Sequence, residues 1–308
     1  MVRPRFSSLD ALLLLMTIIW GGNYSVIKSA LSDIPEIGFN GLRLALASAL
    51  FLAAVARSAR QARSGTAPAR VRHASEPGPA RLRPREWGAL VALAFIGQFL
   101  YQMLFITGLA RTSAANSALI LGCTPVFVAL MTAALGHEDI PPARWAGVAL
   151  SVGGIYLVVG HGAAVTRESV TGDTLMLGAV VCWSVATIMS RPLLARHSPL
   201  IVTGYSMAIG TLFFAPFAWP ELHALAWGRV SGWTWLALIS SATLALCVSY
   251  MIWFTAVQRI GNTRTSVYSN MVPVVAMVVA AIGFGEPIGG LELAGAAAIL
   301  TGVALARL

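Results

Sequence analysis

The feature that most limits what this chain can become is a series of apolar stretches, each about as long as a membrane is thick. A helix rises about 1.5 Å per residue and needs about 20 residues to cross the hydrocarbon core. Such stretches fall at 9–31, 35–56, 87–109, 113–135, 144–160, 173–190, 199–219, 232–254, 265–284 and 289–306. Short segments rich in Gly, Pro and charge separate them. One connection is longer. Residues 57–86 are polar and Pro-rich, show no apolar periodicity, and read as a disordered loop. Only 11% of the residues are charged, where soluble domains carry about 25%. The pattern predicts an all-α integral membrane protein with ten transmembrane helices, the first retained rather than cleaved as a signal.

Charge placement orients the helices. The net charge is +9. In a soluble chain that balance suggests nucleic acid. Here eight arginines sit between Arg57 and Arg85, in one connection. Placing both termini in the cytoplasm sorts 16 basic residues to that side, including Arg3, Arg5, Arg144, Arg191, Arg196, Arg259, Arg264 and Arg307. Lys28, Arg111, Arg167 and Arg229 fall on the other side, and Arg43 lies within the second span. This is the usual bias of cytoplasmic loops toward Lys and Arg. Nucleic acid is not an expected partner. The basic loop also offers a surface for anionic lipid.

The chain repeats itself. A shift of 148 residues carries Trp87 to Trp235, Pro125 to Pro273, Glu138 to Glu286, Gly147 to Gly295 and Gly154 to Gly302. Trp20 and Trp183 hold the same place in the first helix of each half. The expected domains are five-helix units at 9–160 and 173–308. Five is odd, so the second copy enters the membrane inverted. Inverted repeats suit alternating-access carriers, because two similar units can exchange conformations around one central site.

Polar residues inside the spans are the candidate functional groups. The stretch WGGNYSVIK (Trp20–Lys28) places Asn23 and Tyr24 in the second half of an apolar run. An amide there must find a helix partner, cavity water or a substrate. Gly21 and Gly22 permit close packing, and Lys28 near the span end is expected to snorkel. Arg43 sits well inside the second span with Asn40 one turn earlier, and Asn23, Asn40 and Arg43 together make a polar cluster suited to a carboxylate or phosphate. Gln98, Tyr101 and Gln102 form a stripe on the third span, matched by Ser249, Tyr250 and Trp253 on its counterpart. Trp183, Tyr205, Asn116 and Tyr268 extend the candidate cavity wall. The alternative for each is ordinary interhelical packing. Pro125 and Pro273 interrupt backbone bonding in mid-span and predict paired kinks, with a role in gating. Glu138 and Glu286 stand at equivalent helix exits and read as caps. His137 and His161 look equally peripheral. The small-residue faces of the fifth and tenth spans (Gly147, Ser151, Gly154; Gly290, Ala294, Ala298) read as close-packing surfaces, bracing the protein as a monomer or joining a homodimer.

Enzyme chemistry is not expected. Cys123, Cys182 and Cys247 lie in apolar runs with no metal-ligand spacing. There is no catalytic triad and no nucleotide fingerprint. No metal or cofactor is implied.

The motifs WGGNY (Trp20–Tyr24), GLARTSAANSALILGCTP (Gly108–Pro125) and the weaker VQRIGNTRTSVYSNMVPVVA followed by GEPIGGLELAG resemble the drug/metabolite transporter superfamily, in its branch built from two EamA domains. The resemblance covers the chain except the 57–86 insert. It implies an exporter of small metabolites, many relatives moving amino acids. It also implies a cavity built by the first four helices of each half, the last helix being peripheral. The reading is a secondary transporter exporting amino acids or related metabolites across a bacterial inner membrane by alternating access. The alternatives are an efflux carrier for amphipathic drugs, an uptake carrier, a channel, or a non-transporting scaffold or receptor.

Overall fold

The computed structural model describes residues 7–64, 82–136, 141–157, 167–284 and 290–306. Among them every regular element is helical. The first half runs α1 (Ser8–Ala30), α2 (Glu36–Arg63), α3 (Pro84–Ala94), a π-helical stretch Phe95–Leu100, α4 (Tyr101–Arg111), α5 (Ala114–Gly122), α6 (Thr124–Ala134) and α7 (Pro142–Ile155). The second half runs α8 (Arg167–Leu194), α9 (Pro199–Ala224), α10 (Gly232–Ser240), a π-helical stretch Ser241–Val248, α11 (Ser249–Ile260), α12 (Asn262–Ser266), a 3-10 stretch Val267–Met271, α13 (Val272–Phe284) and α14 (Gly290–Ala306).

Local chemistry explains the starts. Ser7 and Asp10 form a capping box on α1. Ser198 and Ser231 accept backbone N–H groups at the starts of α9 and α10. Proline opens α3, α7 and α9, where its missing N–H has no intrahelical partner to lose.

Among the described residues six helices are long and apolar enough to cross a membrane: Ser8–Ala30, Glu36–Ala62, Pro84–Arg111, Ser169–Leu194, Pro199–Ala224 and Gly232–Ile260. The remaining expected spans are shorter or broken. The fourth breaks at Cys123, between α5 and α6, and the ninth is α12, a 3-10 turn and α13. Each break precedes a proline: Pro125 and Pro273 are the second residues of α6 and α13. Proline cannot accept the preceding turn's geometry, so a new helix starts around it. The polar 57–86 connection is shorter than expected. Residues 57–63 continue α2, being Ala, Arg and Gln with good helix propensity apart from Ser58, and 84–86 open α3. Residues 65–81, His137, Glu138, His161, Glu286, Arg3, Arg5 and Arg307 lie outside the described residues.

The outer faces carry Leu12, Ile18, Leu212, Phe217 and Ile282, all exposed, which is an arrangement for lipid rather than water. Trp87, Trp219, Trp227 and Trp233 are exposed near helix ends, where indoles sit at a membrane interface.

The halves meet through residues that match in sequence. Ser48 and Thr211 are 163 residues apart, the Trp20-to-Trp183 spacing, and their hydroxyls lie at 2.7 Å. In the same register, Gly41 of α2 lets Ala218 of α9 approach, while Gly204 of α9 admits Phe51 and Val55 of α2. Gln102 and Tyr250, 148 residues apart, hydrogen bond at 2.9 Å. A Cβ on Gly154 of α7 would stand 2.6 Å from the Gly295 carbonyl of α14. One on Gly302 would stand 2.5 Å from the Gly147 carbonyl. The small face of α7 (Gly147, Ser151, Gly154) therefore packs within one chain against the side of α14 that carries Gly295, Ile299 and Gly302. The face expected for α14 is not the one used: Gly290 and Ala294 are exposed, about a quarter turn away from that contact. The faces they leave outward carry the exposed Leu150, Tyr156, Leu291 and Leu293.

Candidate functional site

At the centre of the bundle a cavity of about 50 Å³ is lined by residues of both halves. From the first half come Trp20, Asn23, Tyr24, Arg43, Tyr101, Gln102, Phe105, Leu121, Gly122 and Thr124. From the second come Trp183, Ala245, Leu246, Tyr250, Ser269 and Val272. A water needs roughly 10–15 Å³ measured this way, so the space holds a few waters. An occupant of amino-acid size requires the walls to move apart.

Arg43 sets the electrostatics. It is 1% exposed. Its guanidinium donates to Gln102 Oε1 at 2.8 Å and to Ser241 Oγ at 3.1 Å, and lies 5.8 Å from the centre of the Phe105 ring. All these partners are neutral, and its Nε has no partner among the described residues. A buried cation held only by neutral groups is costly unless an anion or water completes it. The described carboxylates are engaged elsewhere. Asp10 takes Ser7 and Tyr268, Asp33 takes Ser231 and Thr234, and Glu36 takes Arg111. Glu86 pairs with Arg196 and His197, Asp173 accepts from Thr112, and Glu221 accepts from the Gly38 N–H.

Aromatic rings build the wall. Trp183 sits 4.9 Å from Tyr101, 5.0 Å from Tyr250 and 5.4 Å from Trp253, centre to centre. Trp20 meets Trp183 and Tyr250 edge-on. Its indole N–H donates to the Ala245 carbonyl at 3.1 Å, inside the second π-helical stretch. A π turn shifts the backbone register and makes such a carbonyl available to a side chain. The first π stretch, Phe95–Leu100, falls at matching positions of the other half.

The structure thus brings eight of the residues singled out from sequence to one cavity: Trp20, Asn23, Tyr24, Arg43, Tyr101, Gln102, Trp183 and Tyr250. The others stand elsewhere. Asn40 is fully buried beside the Gln102 carbonyl, at 3.5 Å. Trp253 packs behind Trp20 and Trp183. Gln98 is buried with its Cβ against Gly210 of α9, because the π stretch rotates it off the Tyr101–Gln102 face. Tyr205 packs against the exposed Trp87, ring centres 5.7 Å apart and tilted at 48°, and is not on the cavity wall. Tyr268 gives its hydroxyl to Asp10 at the start of α1. Asn116 lies on α5, but its side chain is outside the described residues. Lys28 does not snorkel. Its amine donates to the Leu109 carbonyl at 3.0 Å and to that of Thr112, at the C-terminal end of α4, where a cation is favoured. Phe105 and Ser241 were missed. Phe105 follows Tyr101 by one turn and stacks on it at 25°, a spacing visible in sequence; Ser241 carried no such signal.

Two polar ties close the ends. Where α1 begins, Glu86 at the start of α3 is 3.1 Å from both Arg196 and His197, in the turn between α8 and α9. At the far end Asp33, in the turn between α1 and α2, accepts from Ser231 N at 3.0 Å and from Thr234 Oγ1 at 2.7 Å, at the start of α10. Hydrogen bonds from Ser231 and Thr234 hold the Asp33 carboxyl down at about 2. Each tie joins a first-to-second-helix turn of one half to the third helix of the other.

The comparisons with known proteins agree with this architecture. The sequence matches the EamA-like transporter family over residues 7–160 and again over 170–308. It is 29% identical to a probable terminal-alkyne amino-acid exporter of Streptantibioticus cattleyicolor, over 95% of this chain and 91% of that protein. It is 28% identical to an uncharacterized transporter of Archaeoglobus fulgidus, over 91% of this chain and 90% of that one. One solved crystal structure superposes with a TM-score of 0.76 at 21% identity, covering 98% of this chain and 99% of the other, and shows the same fold. The apolar helices and these relatives make the chain a multi-pass membrane protein and a transporter. It belongs to the EamA-like transporter family, within the drug/metabolite transporter superfamily.

Proposed function

We propose that this transporter exports amino acids or related small metabolites, opening its central cavity to each side of the membrane in turn. The carrying observation is Arg43, a buried cation on the cavity wall with neutral protein partners. A substrate carboxylate completes it with charge-assisted hydrogen bonds. The aromatic wall takes the apolar part of the substrate. A relative named as an amino-acid exporter supports the substrate class. In this reading the halves are inverted five-helix repeats, and the matched pairs Ser48–Thr211 and Gln102–Tyr250 lie along the axis that relates them. The ties at Glu86 and Asp33 release alternately as the cavity opens to one side or the other. The chain sits in the inner membrane with its termini in the cytoplasm, as the arginine bias implies. Efflux of cationic drugs fits less well, because the carboxylates described are engaged outside the cavity.

The test is uptake and counterflow in proteoliposomes with radiolabelled amino acids, purines and drugs, with and without a pH gradient. Saturable flux stimulated by substrate on the opposite side, and lost in Arg43→Ala while the variant still folds, is the expected result. Flux confined to purines or drugs overturns the substrate class. No flux for any compound in folded protein overturns the carrier reading.

A further inference from the structure

Among the described residues the cavity wall holds one fixed charge, Arg43, and no carboxylate to balance it. Arg43 contributes a full positive charge to the wall, and its contacts are a hydroxyl, an amide oxygen and a ring. A zwitterion brings both a carboxylate and an ammonium. Its carboxylate satisfies Arg43, but its ammonium then meets no carboxylate on the described wall. Aromatic faces are the usual substitute for a carboxylate as an ammonium host. Here the rings largely face one another: Tyr101 is stacked on Phe105, and Trp183 lies against Tyr101 and Tyr250. The Phe105 ring also has the Arg43 guanidinium as a neighbour. A zwitterion therefore leaves the closed site at net positive charge, with a second cation close to the first. A monoanion leaves it neutral. In a low-dielectric interior that difference decides between them.

We propose that the preferred cargo is a monoanion, an amino-acid derivative with an apolar side chain whose amine is absent, replaced or acylated. Resting on the carrier reading above, this also names the driving force. One substrate charge crosses per cycle, so an inside-negative membrane potential drives export without a coupled ion. At about 100 mV the field shifts the equilibrium distribution of a single charge about 50-fold. The carrier then needs no protonatable carboxylate in its pathway, in keeping with a wall that has none among the described residues.

The probe pair is 3-phenyllactate and phenylalanine, equal in shape and differing by hydroxyl against ammonium. Efflux from proteoliposomes of the full chain is measured with a potassium diffusion potential set by valinomycin. The expected result is at least tenfold higher kcat/KM for phenyllactate, with efflux accelerated by inside-negative potential and slowed by the reverse. Phenylalanine flux should show no potential dependence. Arg43→Lys should retain part of the preference for the anion, and Arg43→Gln should lose it. Equal or better transport of phenylalanine, or phenyllactate efflux indifferent to potential, overturns this inference and leaves the carrier reading standing. Absence of saturable flux for both probes and for the wider panel overturns both.

Discussion

Gln102→Glu separates charge from shape at the centre of the protein. Gln102 Oε1 accepts from Arg43 at 2.8 Å, and its Nε2 donates to the Tyr250 hydroxyl at 2.9 Å. Glutamate keeps the length and the first contact, and the tyrosine hydroxyl can turn to donate to it. The change is a negative charge about 4 Å from the positive one, worth about 4 kcal/mol at an effective dielectric near 20. Desolvating the new carboxylate costs several kcal/mol and roughly cancels that gain. The melting temperature in detergent should therefore move by only a few degrees. Binding has no such cancellation. An arriving carboxylate must compete with the introduced one for the same guanidinium, and loses about 4 kcal/mol, roughly a thousandfold in Kd. Gln102→Leu is the control. It removes both hydrogen bonds, costs about 2 kcal/mol of stability, and leaves the charge of Arg43 free for ligand. Calorimetric titration of 3-phenyllactate into parent and variants, beside thermal melts, reads all three quantities. An affinity in Gln102→Glu equal to that of the parent refutes the reasoning, because Arg43 would then not be holding the carboxylate.

Other substitutions test the frame around the site. Gly154→Ala and Gly302→Ala each push a methyl against a facing carbonyl, at 2.6 and 2.5 Å, and should each cost about 1–3 kcal/mol in thermal melts. Gly153→Ala, with nothing within 4 Å, should be neutral. Ser48→Ala and Thr211→Val should show a coupling of about 1 kcal/mol in a double-mutant cycle, since the two hydroxyls bond at 2.7 Å. Strict additivity would mean the contact carries no energy. Asp33 has its carboxyl lowered from 3.8 to about 2, so the stability it gives is complete above about pH 4 and fades as pH falls toward 2. The melting-temperature gap between the parent and Asp33→Asn should follow that course, and a gap that widens on acidification contradicts it.

The apolar stretches made the helices legible, because length and hydropathy alone decide whether a segment can cross a bilayer. Their interruptions were less so. Pro125 and Pro273 announced trouble in the fourth and ninth spans, but not that Cys123 would end α5 or that a 3-10 turn would precede α13. Whether a proline kinks a helix or starts a new one depends on neighbours far away in sequence. At the site, Trp20, Arg43, Tyr101 and Tyr250 were visible because a polar or aromatic group within an apolar run needs a partner. Tyr205 and Tyr268 gave the same signal and found other partners, Trp87 and Asp10. Gln98 was misplaced for a backbone reason: reading its face assumed an α-helical period, and Phe95–Leu100 is π-helical. The 148-residue match marked α7 and α14 as equivalent, but not that their glycine faces would meet each other in the same chain.

Sided chemical labelling tests the central claim most directly. In a functional background lacking Cys123, Cys182 and Cys247, a single Asn23→Cys places one thiol on the cavity wall. A membrane-impermeant maleimide is applied from either side of proteoliposomes in which the orientation of the protein is known. Alternating access predicts labelling from both sides, slowed from both by transported substrate. Labelling from one side alone under every substrate condition, in protein that still transports, contradicts it.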